Sequence, residues 1–175
     1  MDIMIDIETC GTGPDACVLT IAAQCFDPLA RHDFQDYRSF YARIDPESQP
    51  NRNVQDDTLA WWATQPLEAR EEAFGTDNRV ALSRALEQLG KLIWQSQRFW
   101  ANGPTFDANI LEHAYKEHNL ALPWKFYVVR DARTVYSLCP DLKKYPASHH
   151  ALEDCRRQII LLWDSFEMLN IQKIL

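Results

Sequence analysis

The sequence predicts one domain of the α/β or α+β kind, a sheet with helices packed against it. Three observations predict it. Strand-like apolar runs crowd residues 2–44, and helical periodicity takes over from residue 55, alternating with short strand-like segments. A chain of 175 residues, 46% hydrophobic and 25% charged, is long enough and ordinary enough in composition to bury one sizeable core.

The first element is residues 2–8, DIMIDIE, read as a strand. A period of two sends Ile3, Ile5 and Ile7 to one face and Asp6 and Glu8 to the other. The run stops at Cys10-Gly11-Thr12-Gly13-Pro14, whose glycines and proline suit a tight loop. The two carboxylates therefore sit at the carboxyl end of the strand, where open α/β sheets bind ligands. An edge strand with a solvated acidic face is the plain alternative.

Residues 16–26 form a nearly unbroken apolar run, read as a buried central strand that ends at Asp27-Pro28. Residues 33–44, rich in aromatics with rough alternation, read as its antiparallel neighbour, which makes a meander. Residues 45–53 are a loop by composition. Helices then follow at 55–63, ending on Trp61-Trp62, at 67–74, and at 78–95, where Asn78 is the expected N-cap. Residues 98–102 read as a short buried strand turned by Gly103-Pro104 into a helix over 105–119, with Thr105 as its cap. A brief strand at 126–129, a helix at 132–138, a loop at 140–146 and a last long helix at 148–169 complete the chain. No linker interrupts it, so residues 1–175 are expected to be a single domain.

Composition excludes several classes. The five cysteines are odd in number, widely spread and without a CxxC pair, which argues against a disulfide framework or a structural zinc site and for reduced thiols. No apolar run is long enough to cross a bilayer and no basic n-region precedes the first strand, so a cytoplasmic protein without membrane contact is expected. The net charge of -7 argues against coating long DNA. It leaves room for handling phosphodiesters one end at a time, because bound divalent ions would offset acidic charge where it is concentrated.

Three acidic features carry chemistry. Asp6 and Glu8 would repel each other unless something positive lay between them, and hard oxygen ligands suit Mg²⁺ or Mn²⁺. Asp107 falls in the first turn of a helix that leaves a strand through a Gly-Pro turn. The helix macrodipole alone would explain an acid there, yet the same geometry brings it to the carboxyl edge of the sheet near Asp6 and Glu8. Ser148-His149-His150-Ala151-Leu152-Glu153-Asp154 sets two histidines before an aspartate at a helix start. A neutral imidazole there could take a proton from an attacking water, although hydrated histidines are the plain reading. Helical projection favours His150, four residues before Asp154 and on the same face.

With these motifs the chain resembles the DEDD 3′-5′ exonucleases of the ribonuclease H-like superfamily, in their histidine-bearing, DnaQ-like (DEDDh) branch. DIETCGTGPDACVLTIAAQCFD, ANGPTFDANIL and HHALED carry the resemblance and span most of the chain. TLAWW at 58–62 adds a likeness to small phage and prophage exonucleases and to the Rv2179c-like exoribonucleases. The resemblance implies an α/β, ribonuclease H-like mixed sheet, an antiparallel meander plus parallel strands, flanked by helices. It implies Asp6, Glu8, Asp107 and Asp154 as ligands of two Mg²⁺ (or Mn²⁺). The family spacing between histidine and aspartate is five, which selects His149 as general base against the helical projection.

The implied activity is a two-metal 3′-5′ exonuclease releasing nucleoside 5′-monophosphates from the 3′ ends of single-stranded DNA or RNA. Thr9 would touch the terminal nucleotide, and Trp61 and Trp62 would offer a stacking surface. Trp94, Trp100, Trp124 and Trp163 are assigned to packing, while Lys143 and Lys144 could meet phosphates or simply face solvent. Apolar Leu169, Ile171, Ile174 and Leu175 suggest a subunit interface and hence a homodimer. The competing readings are a non-catalytic nucleic-acid-binding or adaptor protein on the same fold and a proofreading subunit of a polymerase.

Overall fold

The structure is a computed structural model that describes residues 1–143 and 145–174; the expected roles of Lys144 and Leu175 lie outside the described residues. Strand β1 (Asp2–Thr9) pairs antiparallel with β2 (Val18–Phe26), which pairs antiparallel with β3 (Ser39–Ile44). Three short strands extend this meander in parallel: β4 (Arg79–Val80) beside β3, β5 (Phe99–Ala101) beside β1, and β6 (Val129–Asp131) beside β5. The sheet order is β4-β3-β2-β1-β5-β6. Helices α1 (Asp56–Ala63), α2 (Leu67–Phe74), α3 (Leu82–Ile93), α4 (Pro104–Glu117), α5 (Ala132–Ser137) and α6 (Ala151–Met168) flank it. This is the mixed α/β, ribonuclease H-like arrangement.

The alternation in β1 explains the two layers. Ile3, Ile5 and Ile7 meet α3 and α4 through Leu86, Leu89, Ile110 and Leu111. On the opposite face Met4 joins Phe26 and Trp100 under α6, which contributes Cys155, Ile159 and Leu162. Strand β1 is thus central, flanked by β2 and β5, and the edge-strand alternative does not hold. Helix α6 covers Met4 on the carboxylate face, so only the strand's carboxyl end is left to carry Asp6 and Glu8.

Several expected boundaries differ. Strand β2 begins at Val18, because Ala16 makes only an isolated bridge to Asn53. Residues 33–44 divide into a 3-10 turn at Phe34–Asp36, capped by the Asp33 carboxylate, and β3. Asn78 is not an N-cap: it is left-handed at φ 56°, and the next two residues are drawn into pairing with Arg43 and Ile44 before α3 starts at Leu82. The Arg79 guanidinium holds that edge by donating to the carbonyls of Ala73, Gly75 and Ile44.

Thr105 does not cap α4, which starts at Pro104 after Gly103 at φ 108°, a conformation that favours glycine. Phe126–Val128 is a 3-10 turn leading into β6, so the strand lies later than expected. Helix α6 begins at Ala151 rather than at residue 148. Trp100, Trp124 and Trp163 are buried, but Trp94 is 66% exposed and does not serve packing. All five cysteines are free and buried. Among the described residues no helix is long and apolar enough to cross a membrane. At the C-terminus Leu169 packs against Cys139, Leu142 and Leu161, and Ile174 packs against the α6 layer, so much of the expected interface is spent within the chain.

Candidate active site

Strand β5 is short, and its pairing with β1 covers only Ile3 and Met4. Beyond that point the Ile7 N–H would face no neighbouring strand; it donates instead to the Asp107 carboxylate at 3.2 Å. The first turn of α4 is thereby tied to the end of β1, and Asp107 arrives beside Asp6 and Glu8.

Asp154, in the first turn of α6, is wrapped by the loop before it. Its Oδ1 accepts from the Ser148 N–H at 3.0 Å, from the Ser148 hydroxyl at 2.6 Å and from Arg157 at 2.7 Å, while Oδ2 accepts from the His149 N–H at 3.0 Å. That wrapping places His149 at φ 58°, a left-handed conformation uncommon for a residue with a side chain. The reversal aims its imidazole inward, with Nδ1 3.8 Å from Glu8 Oε1 and the ring edge-on to Trp61 and Trp62. His150 takes the other direction and stacks on Tyr41, ring centroids 4.9 Å apart. Glu8, His149 and Asp154 offer potential ligand atoms that all lie within 4.8 Å of one another.

The electrostatics are strained in one direction. Burial, then Asp107 and Glu8, push the Asp6 carboxyl well above the ordinary range. Burial, with Asp154 and Asp107, pushes Glu8 up to about 8, and burial raises Asp107 to about 7. Such crowding is relieved by a divalent cation, and a set of hard carboxylate oxygens fits Mg²⁺ or Mn²⁺. Burial holds His149 below the usual histidine value, which keeps the imidazole neutral near pH 7.

The remaining expected residues divide. Thr9 is buried, and its hydroxyl donates to Gly11 at 2.6 Å, shaping the loop after β1. Trp62 is 2% exposed and donates its indole N–H to the Thr9 carbonyl at 2.9 Å, so it supports the site from beneath and has no free face for stacking. Trp61 is 43% exposed. It lines a 470 Å³ cavity with Glu8, Thr9, Gly11, Thr12 and Phe106.

Sequence reasoning misses three groups. Gln158 donates to Asp6 at 2.7 Å, Arg157 pairs with Asp154, and Ser148 doubly holds the same carboxylate. The signal for the first two was available: they follow Asp154 by four and three residues on one helix face.

Known proteins share this fold. A solved exonuclease X in complex with 5′ overhanging duplex DNA superposes with a TM-score of 0.56 at 19% identity, covering 97% of this chain and 93% of that one. The nuclease domain of 3′hExo, a DEDDh family member bound to rAMP, gives 0.56 at 14% identity over 97% and 92%. Among curated proteins, the exodeoxyribonuclease of Enterobacteria phage T4 is 27% identical over 198 residues, 92% of this chain and 87% of that protein.

The class is that of the 3′-5′ exonucleases, hydrolases of phosphodiesters. Within it the chain belongs to the family of the 3′-5′ exoribonuclease Rv2179c-like domain, whose family model matches residues 1–164.

Proposed function

We propose that residues 1–175 form a single catalytic domain that uses two divalent ions to release nucleoside 5′-monophosphates from the 3′ ends of single-stranded DNA or RNA. The observation that carries this reading is the His149 turn, in which one residue holds Asp154 by its backbone and faces Glu8 with its ring. Asp6, Glu8, Asp107 and Asp154 would hold Mg²⁺ or Mn²⁺, which when bound supplies charge to activate a water and to stabilise the leaving 3′ oxygen. His149 accepts the proton of the attacking water; its Nδ1 is the ring nitrogen facing Glu8. Gln158 orients Asp6, while Ser148 and Arg157 orient Asp154. The 3′-terminal nucleotide occupies the cavity between Thr9, Trp61 and Phe106, with its base on the exposed Trp61 ring.

The names of the relatives point to both sugars, so the substrate includes DNA or RNA at this level. The reading also includes a cytoplasmic place, which suits five free buried thiols. A homodimer through the C-terminal tail rests on Met168 and Ile171, which stay exposed, and light scattering that shows a monomer removes it. The test of the activity is digestion of matched 5′-labelled single-stranded DNA and RNA with Mg²⁺ or Mn²⁺, beside EDTA and Asp6→Ala controls. A metal-dependent ladder shortening from the 3′ end, absent in both controls, is expected. No ladder on either strand with divalent ions still bound would favour an adaptor.

A further inference from the structure

The five free cysteines have no part in the chemistry of the carboxylates, and two of them stand together. The pairing of β1 with β2 runs antiparallel from Asp2↔Phe26 to Thr9↔Val18, so the next pair outward is Cys10 and Cys17. Their backbones are joined there, the Cys10 N–H donating to the Cys17 carbonyl at 2.8 Å. Residues opposite one another on antiparallel strands point to the same face with Cα atoms about 4.5–5.5 Å apart, inside the range of about 4.4–6.8 Å that a disulfide spans. The two thiols do share a face: both lie in one buried cluster with Leu19, Trp62, Ala69 and Ala73. Cys25, Cys155 and Cys139 fall in three other clusters, each away from this pair.

The two thiols are not equivalent. Cys17 is held below the usual cysteine range, first by the hydrogen bond it accepts from Cys10 and then, against the cost of burial, by the Arg52 and Arg79 guanidinium groups. A thiolate is the form that attacks a peroxide. At 5% and 3% exposed, Cys10 and Cys17 admit only a small oxidant.

A bond between them would be felt in the Trp61 cavity. It draws the sulfurs to about 2.05 Å, well inside any hydrogen-bond distance, so Cys10 or Cys17 must move. The Cys10 carbonyl accepts from the Gln55 N–H at 2.8 Å, and Gln55 Oε1 accepts from the Thr12 N–H at 2.9 Å. Gly11, Thr12 and Gln55 line the cavity. A Cβ on Gly11 would lie 3.1 Å from the Gln55 side chain and 3.3 Å from Ala16, so the loop is packed without slack to absorb a shift.

We propose that Cys10 and Cys17 form a site of oxidative modification, a dithiol that hydrogen peroxide converts to a reversible disulfide and that thereby weakens binding of the strand end. Cys17 attacks one peroxide oxygen; the O–O bond breaks, a sulfenic acid forms, and the departing hydroxide leaves as water with the Cys17 proton. The Cys10 sulfur then attacks the Cys17 sulfur, the S–O bond breaks, and hydroxide leaves with the Cys10 proton as a second water. The two thiols lose two electrons and the peroxide gains them. The disulfide itself does not depend on the exonuclease reading; its effect on strand binding rests on it.

The test treats the reduced full chain with hydrogen peroxide, blocks remaining thiols by alkylation, and weighs the tryptic peptide of residues 1–31, which contains Cys10, Cys17 and Cys25. Loss of two hydrogens is expected, with Cys25 alkylated, restored by dithiothreitol and retained in Cys25→Ser. Cys10→Ala stops at a sulfenic acid on Cys17 that dimedone traps, whereas Cys17→Ala gives neither bond nor adduct. Glutathione disulfide, too bulky for two covered sulfurs, forms the bond far more slowly than peroxide. On single-stranded oligonucleotides the oxidised wild type raises KM about tenfold, as for the loss of one hydrogen bond, with kcat nearly unchanged. Both alanine variants lose this response.

A bond that includes Cys25, oxidation of each cysteine without a bond, or equal rates with both oxidants overturns the site. A Cys10–Cys17 bond that leaves KM unchanged in an active enzyme overturns its effect on the strand. A reduced chain that digests no strand overturns the exonuclease reading and the effect with it, and the mass of the oxidised peptide still decides the bond.

Discussion

At the scale of single residues, two adjacent histidines have opposite environments: His149 faces Glu8, and His150 stacks on Tyr41. His149→Ala is expected to lower kcat at least about a hundredfold, since positioned general bases contribute 10²–10⁴. His150→Ala, whose ring stacks on Tyr41, is expected to retain most activity; the reverse order in kcat would overturn the assignment. Asp107 makes a complementary case, because its carboxylate is buried and its ionisation is penalised. Asp107→Asn keeps an oxygen for the Ile7 N–H and removes a buried charge, so Tm should hold or rise while turnover falls by orders of magnitude. Wild-type turnover in that variant would refute its ligand role. Spacing alone could not choose between the histidines, because helical projection fails at a residue whose backbone is left-handed.

At the scale of elements, the Trp pair joins α1 to the end of β1 by two different means. Trp62→Phe removes the hydrogen bond to the Thr9 carbonyl and leaves that buried acceptor unpaired, a cost of about 1–3 kcal/mol. For a chain of this size Tm should fall by about 3–10 °C in calorimetry. Trp61→Ala should leave Tm nearly unchanged and raise KM about tenfold, because stacking on one base contributes about 1–3 kcal/mol. Identical neighbours in sequence look alike, and only the docking of α1 shows which ring is covered.

The start of β1 supplies a pH dependence. Asp2 is fully buried, and burial raises its pKa despite the Trp100 indole at 2.7 Å and Arg98 at 3.4 Å. A raised native pKa means that its contribution to stability is complete below the ordinary aspartate value and is lost as pH rises through the native one. Asp2→Asn should therefore gain Tm relative to wild type between pH 4 and pH 7. An advantage that shrinks with rising pH would contradict this. The same scale shows why β4 escaped detection: two residues cannot display a period, and Val80 happens to fall on the spacing of α3.

At the scale of the whole molecule, four carboxylates from β1, α4 and α6 are gathered with Arg157 as the one cation paired to them among the described residues. Folding holds like charges together, so divalent ions should stabilise the native state. Mg²⁺ at about a hundred times its Kd should add about 2.7 kcal/mol, and Tm should rise and fall back with EDTA. Asp6→Ala should blunt that shift, and an equal shift in both proteins would show that the ion binds elsewhere.

The sequence by itself determines the meander, the central apolar strand and the order of the acidic motifs, because alternation, glycine loops and first-turn positions are local properties of the chain. It also carries the family pattern that the fold and the 1–164 match support. Only the tertiary structure decides which histidine faces Glu8, which tryptophan remains open, and that Gln158 reaches Asp6. Those choices are made by hydrogen bonds between segments far apart in sequence, such as Gln158 to Asp6 and Trp62 to Thr9, and by the backbone reversal at His149 that wraps Asp154.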